Sequence, residues 1–157
     1  MSRDECELIV EVLDARDLNG VALLFNDYRI FYQQETDVSA ASHFIRERFF
    51  NNESIIFVAK AAEKVIGFIQ MYPSFSSVQA KKIFILNDLF VRAEYRQLKA
   101  GERLMRFAAA YARQQNASTL VLETMTDNFA AKSLYKKLGY EQESGVEIYA
   151  LNLQKAE

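Results

Sequence analysis

Apolar positions recur along this chain with two spacings, one typical of strands and the other typical of helices. The run ELIVEVL at 7–13 predicts a first strand, and the chain from 14 to 33 repeats its apolar positions every three or four residues. The positions of this helical stripe are Leu18, Val21, Phe25, Tyr28 and Tyr32. A second helix is predicted up to Phe50, with Asp37 or Ser39 able to cap its first turn.

The middle of the chain changes to runs rich in β-branched and aromatic residues, separated by polar turns. IIFVAK at 55–60, VIGFIQMY at 65–72 and KIFILNDLFV at 82–91 predict three antiparallel strands. Apolar positions then return to helical spacing up to Gln115, and TLVLETM at 119–125 predicts another strand. Strand, helix and strand in this order indicate a parallel crossover.

The segment DNFAAKSLYKKLGY predicts a final helix with clear start and stop signals. Asp127 or Asn128 can cap its first turn, and Gly139 can adopt the left-handed conformation that ends a helix. EIYALNL at 147–153 predicts a last strand. The order of elements therefore predicts an α+β domain whose sheet is mostly antiparallel, with one parallel crossover.

Length and composition narrow the class of protein. The 157 residues, 50% of them hydrophobic and without a Gly/Ser/Pro-rich linker, predict a single domain over 1–157. A net charge of -2 and a pI near 5.6 argue against binding to nucleic acid and favour cationic partners.

The one cysteine, Cys6, cannot form an internal disulfide, and the chain lacks both a signal-peptide pattern and a membrane-length apolar run. We therefore expect a cytoplasmic protein without a membrane span.

Two adjacent polar residues, Asn87 and Asp88, interrupt the apolar strand at 82–91. One of them is expected to face the core, because alternate residues of a strand point to opposite faces. Burying an amide or a carboxylate without a partner costs roughly 1–3 kcal/mol, so a partner or a ligand is expected there. A β-bulge would also account for the pair, and a bulge beside a ligand would satisfy both interpretations.

The stretch EYRQLKAGERLM at 94–105 follows this strand and leads into the helix that opens near Ala100. Such a turn points backbone N–H groups and the positive end of the helix dipole at whatever lies in front of it, which favours a pyrophosphate. Arg96 and Gly101 alone are weak signals, because many surface helices also begin with a charged turn of small residues. The stretch by itself leaves open both a phosphate loop and a plain helix start.

Tyr135, Asn128, Glu123 and His43 are the remaining candidates for chemistry. Tyr135 could give a proton to a leaving thiolate, but its place on the apolar stripe of the last helix equally suits a core residue. Glu123 lies near the end of a strand, and His43 has no second His or Cys with metal-ligand spacing, so no metal is expected. The absence of GxSxG and GxxxxGK[ST] signatures argues against serine hydrolases and NTPases.

LNDLFVRAEYRQLKAGERLM, followed one helix later by LETMTDNFAAKSLYKKLGY, resembles the GNAT superfamily of N-acetyltransferases, which transfer an acetyl group from acetyl-CoA to an amine. The resemblance is specific over about 85–141 and is compatible with the order of elements outside it. It implies a single GNAT-like α+β domain with helices on both faces of the sheet and a splayed pair of parallel strands. The strand motif is also similar to that of diamine, polyamine and histone-type acetyltransferases.

The resemblance also implies roles for individual residues. The backbone at the end of the strand would pair with the pantetheine arm of acetyl-CoA, and the loop and helix start would wrap its pyrophosphate. The strand residues are Leu89, Phe90 and Val91, and the loop and helix-start residues are Arg96, Gln97, Leu98, Lys99, Ala100, Gly101 and Glu102. Asn128 resembles the family's asparagine near the pantetheine, and Tyr135 resembles the tyrosine that protonates the CoA thiolate.

Two positions depart from the family pattern. Lys99 stands where the loop pattern has its first glycine, although a lysine ammonium can still bind phosphate as a point charge. Asn87 stands where relatives often have a glutamate that takes the proton of the amine through water. Asp88, Glu123 or a chain of waters would then serve as the base, or the amine would arrive already neutral.

The expected reaction is direct attack of the amine on the thioester, because the only cysteine, Cys6, is remote in sequence from the motifs. The acceptor would be a small polyamine-like amine or a protein lysine, in a pocket framed by 17–51 and the last strand. Aromatic residues of the first range include Phe25, Tyr28, Phe31 and Tyr32. The alternative is a non-catalytic acyl-CoA-binding or protein-interaction module on the same fold, and the fold is compatible with a homodimer.

Overall fold

The computed structural model describes residues 7–155. This range forms one sheet of strands, four α-helices and two short 3₁₀ turns. The strands are β1 (Leu8–Val12), β2 (Ile55–Ala61), β3 (Lys64–Ser76), β4 (Lys81–Val91) and β5 (Thr119–Val121). The helices are α1 (Leu18–Phe31), α2 (Val38–Phe50), α3 (Ala100–Gln114) and α4 (Phe129–Lys137), and the 3₁₀ turns are Ala15–Asp17 and Ala93–Leu98.

The strands lie in the order β1-β2-β3-β4-β5, with antiparallel neighbours except for the parallel pair β4 and β5. The predicted α+β class, mixed sheet and parallel crossover are therefore confirmed. Two strand predictions are wrong: β5 ends at Val121 rather than at 125, and 147–153 forms no strand. Residues 122–125 and 147–153 have side chains that favour strands, but a strand forms only where a neighbouring backbone pairs with it.

Helices cover both faces of the sheet, as the resemblance implied. On one face, α1 and α2 bury an apolar cluster that includes Val21, Ile45 and Phe68. On the other face, α3 packs Phe107 against Phe57 of β2, with ring centroids 4.9 Å apart. Because both faces are covered, β2 and most of β3 are buried at consecutive positions rather than at alternate ones.

A buried ion pair holds the start of α1 against the sheet. Lys60 of β2 is 5% exposed, and its Nζ lies 2.7 Å from Asp17 Oδ2 and 2.9 Å from Glu11 Oε1. The hydrogen bonds to Asp17 and to Glu11 raise the pKa of Lys60 above its ordinary value. The ammonium therefore stays charged and links β1, β2 and the residue that precedes α1.

The described residues form two compact units, 7–123 and 124–155. The first unit contains the sheet and the helices α1, α2 and α3. The second unit contains α4, and none of its described residues is buried. Gly139 follows α4 with φ +89°, which is the left-handed conformation predicted for this helix end.

Candidate active site

A β-bulge interrupts the pairing of β3 with β4. Gln70 pairs with Asp88, whereas the next residue, Met71, pairs with Leu86. Asn87 is therefore the extra residue on β4, and it is exposed. The bulge that the sequence suggested is confirmed. Its effect is to turn Asp88 toward the face of the sheet that α1 and α2 cover.

Asp88 is a buried carboxylate, with 3% of its surface exposed. Gln70 Nε2 donates a hydrogen bond to Asp88 Oδ2, and Asn87 Nδ2 donates one to Oδ1 at 3.1 Å. Ser54 Oγ in turn donates to Gln70 Oε1 at 2.7 Å. Burial raises the pKa of Asp88 above its ordinary range, and the hydrogen bonds from Gln70, Tyr28 and Asn87 oppose this increase without cancelling it. Asp88 therefore accepts a proton more readily than an exposed aspartate.

Asp88 lines a cavity of about 250 Å³ that side chains of α1, α2 and the sheet enclose. The lining residues are Phe25, Tyr28, Arg29, Tyr32, Gln34, Phe44, Tyr72, Asn87 and Asp88. Tyr28 donates a hydrogen bond to the carbonyl oxygen of Asn87 at 3.3 Å. Burial, and then the charge of Asp88, raise the pKa of Tyr72 to about 12, so its phenol stays protonated. Aromatic walls with a few fixed polar groups are typical of small-molecule sites.

Arg29 is a cation of this cavity and lies in the last turn of α1. Its Nη1 atom is buried and makes no hydrogen bond with any residue of the described range. Arg48 of α2 is different, because its guanidinium pairs with Glu47 and Glu53. The cavity is thus lined by a carboxylate from the sheet and by an arginine from a helix.

One edge of β4 lacks a neighbouring strand over half of its length. β4 pairs with β5 only from Ile83 to Ile85, opposite Thr119 to Val121, whereas β4 itself continues further. Past that point no strand of the described chain pairs with this edge. The predicted cofactor residues Leu89, Phe90 and Val91 lie on the unpaired stretch. The splayed parallel pair is therefore confirmed, and the edge offers backbone N–H and C=O groups to an extended ligand.

Lys99 joins the second 3₁₀ turn to α3 in a left-handed conformation, with φ +57° and ψ +28°. This conformation favours glycine, because a Cβ atom crowds the backbone there. The backbone at Lys99 thus has the shape for which the family pattern uses glycine. The side chain of Lys99 makes no capping hydrogen bond, so the first turn of α3 lacks the bond that Ser or Asp would supply at this position.

The other residues of the predicted pyrophosphate loop form a compact turn. Arg96 Nε donates a hydrogen bond to the carbonyl oxygen of Val91 at 3.3 Å. Glu102 lies in the first turn of α3, and its Oε1 is 2.9 Å from Arg106 Nη2, which offsets a charge that would repel phosphate. Gln97 and Leu98 end the 3₁₀ turn, and Ala100 and Gly101 open α3.

Asn128 and Tyr135 belong to the second unit. Asn128 is the N-cap of α4: its Oδ1 accepts a hydrogen bond from the N–H of Ala131 at 3.4 Å, and its Nδ2 donates to Thr124 Oγ1 at 3.3 Å. The predicted cap is therefore confirmed. Tyr135 is half-buried on α4, and its ring centroid lies 6.0 Å from that of Tyr140. The roles of Asn128 and Tyr135 toward acetyl-CoA stay predictions.

Several other candidates do not line the cavity. Glu123 is exposed beyond the end of β5, and Phe31 is 60% exposed at the end of α1. His43 is an exposed residue of α2 and lies 3.4 Å from Glu47. Cys6 falls outside the described residues. Within 7–155, no three His, Cys, Asp or Glu side chains form a group able to hold a metal, and no helix has the length and apolarity to cross a bilayer.

Five residues of this region were not identified from the sequence: Arg29, Gln34, Phe44, Gln70 and Tyr72. Gln70 did leave a signal, since it is the only amide in the apolar run VIGFIQMY. Tyr72 lies two residues further along the same strand and so shares its face. Nothing in the sequence marked Arg29 as a cavity residue, because a charged residue between the apolar positions of a helix is ordinary.

Comparison with known proteins agrees with the resemblance. Residues 21–140 match the family model described as acetyltransferase (GNAT) family. The chain is 46% identical over 137 residues to the uncharacterized N-acetyltransferase YhfO of Bacillus subtilis (strain 168), which covers 87% of this chain and 92% of that protein. The crystal structure of a probable acetyltransferase is 31% identical and has a TM-score of 0.84, over 96% of this chain and 99% of that one.

A more distant structure shares the fold. The aminoglycoside N-acetyltransferase AAC(6')-Iy, solved in complex with CoA, has a TM-score of 0.80 at 16% identity, over 96% of this chain and 99% of that one. The family match spans most of the sequence, and the sheet has the mixed, splayed form that the resemblance implied. This chain therefore belongs to the GNAT acetyltransferase family.

Proposed function

We propose that this GNAT protein transfers the acetyl group of acetyl-CoA to a primary amine by direct attack, with Asp88 as the general base. The observation that carries the proposal is the buried carboxylate of Asp88 in an aromatic cavity, on the same strand as the unpaired edge. A base is required because an alkyl amine is mostly protonated at neutral pH and must lose a proton before it attacks.

The surroundings of Asp88 suit this role. Hydrogen bonds from Gln70 and Asn87 hold the two carboxylate oxygens in place. The raised pKa of Asp88 brings its basicity nearer to the pH at which a general base works best. Glu123 is the weaker candidate, because it is exposed and does not line the cavity.

Two features of the described chain fit acetyl-CoA. The unpaired edge of β4 offers backbone groups for the pantetheine arm, and the uncapped start of α3 offers a helix dipole with Arg96 and Lys99 nearby in sequence. Bound acetyl-CoA supplies the activated acetyl thioester. The backbone N–H of Leu89 or its neighbour polarises the thioester carbonyl, and Tyr135 gives a proton to the sulfur as the C–S bond breaks.

Release of free CoA from acetyl-CoA, measured with a panel of polyamines, aminoglycosides, amino acids and peptides, tests the proposal. Asp88→Asn is expected to lower kcat about 100-fold or more, since it removes the base. Tyr135→Phe is expected to lower kcat with little change in acetyl-CoA binding. Glu123→Gln is the matched control and should leave kcat unchanged.

Binding of acetyl-CoA without CoA release for any amine would overturn the proposal and favour a non-catalytic acyl-CoA-binding module. A loss in Glu123→Gln as large as that in Asp88→Asn would move the base to Glu123. An unchanged kcat in Tyr135→Phe would make Tyr135 a packing residue.

A further inference from the structure

Arg29 is half-buried and lines the cavity. A cation in the last turn of a helix is favoured by the helix dipole even when it stays in water. Nη1 of Arg29 is nevertheless removed from solvent and has no hydrogen-bond partner among residues 7–155. A guanidinium that lines a cavity and has no salt-bridge partner there can bind an anionic group of a ligand.

The described chain supplies no anion for Arg29. Asp27, two residues earlier on α1, lies 4.0 Å from Arg92 instead. Asp88 lines the same cavity but forms no salt bridge with Arg29, and its oxygens accept hydrogen bonds from neighbours on the sheet. One positive and one negative group thus lie at separate places on a single cavity wall. This arrangement is complementary to a ligand that carries both charges.

The cavity that these two groups line is small and largely aromatic. The rings of Phe25 and Phe44 stack with centroids 5.3 Å apart, and those of Tyr28 and Tyr32 meet edge to face at 4.9 Å. The cavity of about 250 Å³ is of a size that suits a small molecule rather than a folded protein segment. Aromatic walls favour an apolar or aromatic ligand body.

We propose that the acceptor is a small amine that also bears a carboxylate, in other words an amino-acid-like molecule with an apolar or aromatic body. The proposal rests on the proposed function and names its acceptor class. Asp88 takes the proton of the amine, the aromatic walls hold the body, and Arg29 binds the carboxylate. Guanidinium–carboxylate pairs are strong and geometrically specific. A polyamine would instead place a second cation near Arg29, where it would be repelled.

Matched acceptors test this assignment: phenylalanine, phenylalaninamide and 2-phenylethylamine, with leucine, leucinamide and 3-methylbutylamine as a second series. Arg29→Gln is expected to lower kcat/KM for the two amino acids roughly 10- to 100-fold, the value of a hydrogen bond to a charged group. The same variant should leave kcat/KM for the amides and the simple amines within about threefold of wild type. Comparing variant with wild type for each acceptor cancels the differences in amine pKa.

Arg29→Lys and Arg16→Gln are the controls. Arg29→Lys keeps the charge and should recover part of the activity toward the amino acids. Arg16→Gln removes a positive charge from an exposed residue that does not line the cavity, so it should change no kcat/KM value. Equal losses for all acceptors in Arg29→Gln, or a wild-type preference for the simple amines, would overturn the proposal while the N-acetyltransferase function stands.

A binding measurement separates the two proposals if no acceptor is acetylated. 3-Phenylpropanoate carries the carboxylate without an amine, and 3-phenylpropanamide is its neutral counterpart. The acid is expected to raise the Tm of the wild type and not that of Arg29→Gln, whereas the amide should raise neither. Stabilisation by the acid without any CoA release would retain the carboxylate site and reject the transfer reaction. No stabilisation by the acid would reject the carboxylate site.

Discussion

Asp88 is a residue at which stability and the proposed function conflict. Its carboxylate is buried, and burial raises its pKa despite hydrogen bonds from Gln70 and Asn87. The folded protein therefore holds the Asp88 proton more tightly than the unfolded chain does. The stability that Asp88 contributes is fully present below the unfolded-state pKa and is lost as the pH rises through the folded-state pKa. Above the folded-state pKa, the charged carboxylate consequently destabilises the fold.

Asp88→Asn is accordingly expected to raise the Tm at pH 7 while it abolishes most of the activity. The amide removes the buried charge, and rotation of the Gln70 amide can restore the hydrogen-bond network with Ser54. The gain should shrink as the pH falls through the raised pKa, because the wild-type carboxyl is then neutral as well. Thermal unfolding followed by circular dichroism from pH 4 to 8 measures this difference.

Glu123→Gln is the control for that experiment, since it changes the same chemical group at an exposed position. It should leave the pH dependence of the Tm unaltered. A Tm of Asp88→Asn at or below that of wild type at pH 7 would show that the hydrogen bonds to the carboxylate outweigh its burial.

At the scale of elements, the turn between β4 and α3 combines a strained backbone with a charge. Lys99 adopts the left-handed conformation that glycine accepts at no cost and that an ordinary residue adopts at a cost of roughly 1–2 kcal/mol. Its ammonium stands beside the start of a helix, where an anion is favoured. Lysine at this position therefore lowers the stability of the turn and adds a positive charge near the proposed pyrophosphate site.

Lys99→Gly and Lys99→Ala separate these two effects. Both variants lose the charge, so each is expected to raise the Kd for CoA roughly two- to fivefold, the scale of an exposed ion pair. Both should also reduce the dependence of the Kd on salt concentration. Lys99→Gly alone should raise the Tm, because only glycine relieves the left-handed conformation. Calorimetric titration of CoA and thermal unfolding measure the two quantities.

Lys81→Ala serves as the control, because Lys81 is an exposed lysine at the opposite end of β4. Its affinity for CoA should equal that of the wild type. Unchanged or tighter CoA binding by both Lys99 variants would remove the charge argument and leave Lys99 as a tolerated replacement for glycine.

At the scale of the whole molecule, the sheet is the common support of the proposed sites. β4 carries Asp88 on the face that α1 and α2 cover, and its unpaired edge begins where β5 ends. Phe84, Leu86 and Val91 of this strand are buried and belong to the core of the first unit. A ligand bound along β4 is therefore expected to stabilise the fold as a unit, and a single domain over 1–157 remains our proposal.

Acetyl-CoA at 100 times its Kd is expected to raise the Tm by roughly 5–10 °C, since binding to the folded state alone contributes about 2.7 kcal/mol at that concentration. Differential scanning calorimetry should show one cooperative transition that moves as a whole. Two transitions, of which acetyl-CoA moves only one, would instead show that 1–123 and 124–157 unfold separately. No shift at any concentration would exclude the cofactor.

The sequence by itself determined the elements of the sheet and helices up to Gln114, because the spacing of apolar residues reports directly on local burial. It also showed that the Asn87–Asp88 pair is unusual. Whichever residues of the neighbouring strand pair with these two, one polar side chain is expected to face the core and to need a partner there. The helix start near Ala100 was also predicted, and each cap was narrowed to two residues, Asp37 or Ser39 and Asp127 or Asn128, because capping depends only on residues within one turn.

Only the tertiary structure decided which member of that pair is buried. The answer depends on the bulge that pairs Gln70 with Asp88 and leaves out Asn87, and register between strands is not a local property. The tertiary structure likewise brought Arg29 of α1 to the same cavity as Asp88 of β4, although the two are far apart in the chain. The spacing of apolar residues can predict whether a residue faces the core or the solvent. The residues that it contacts there depend on how distant elements pack together.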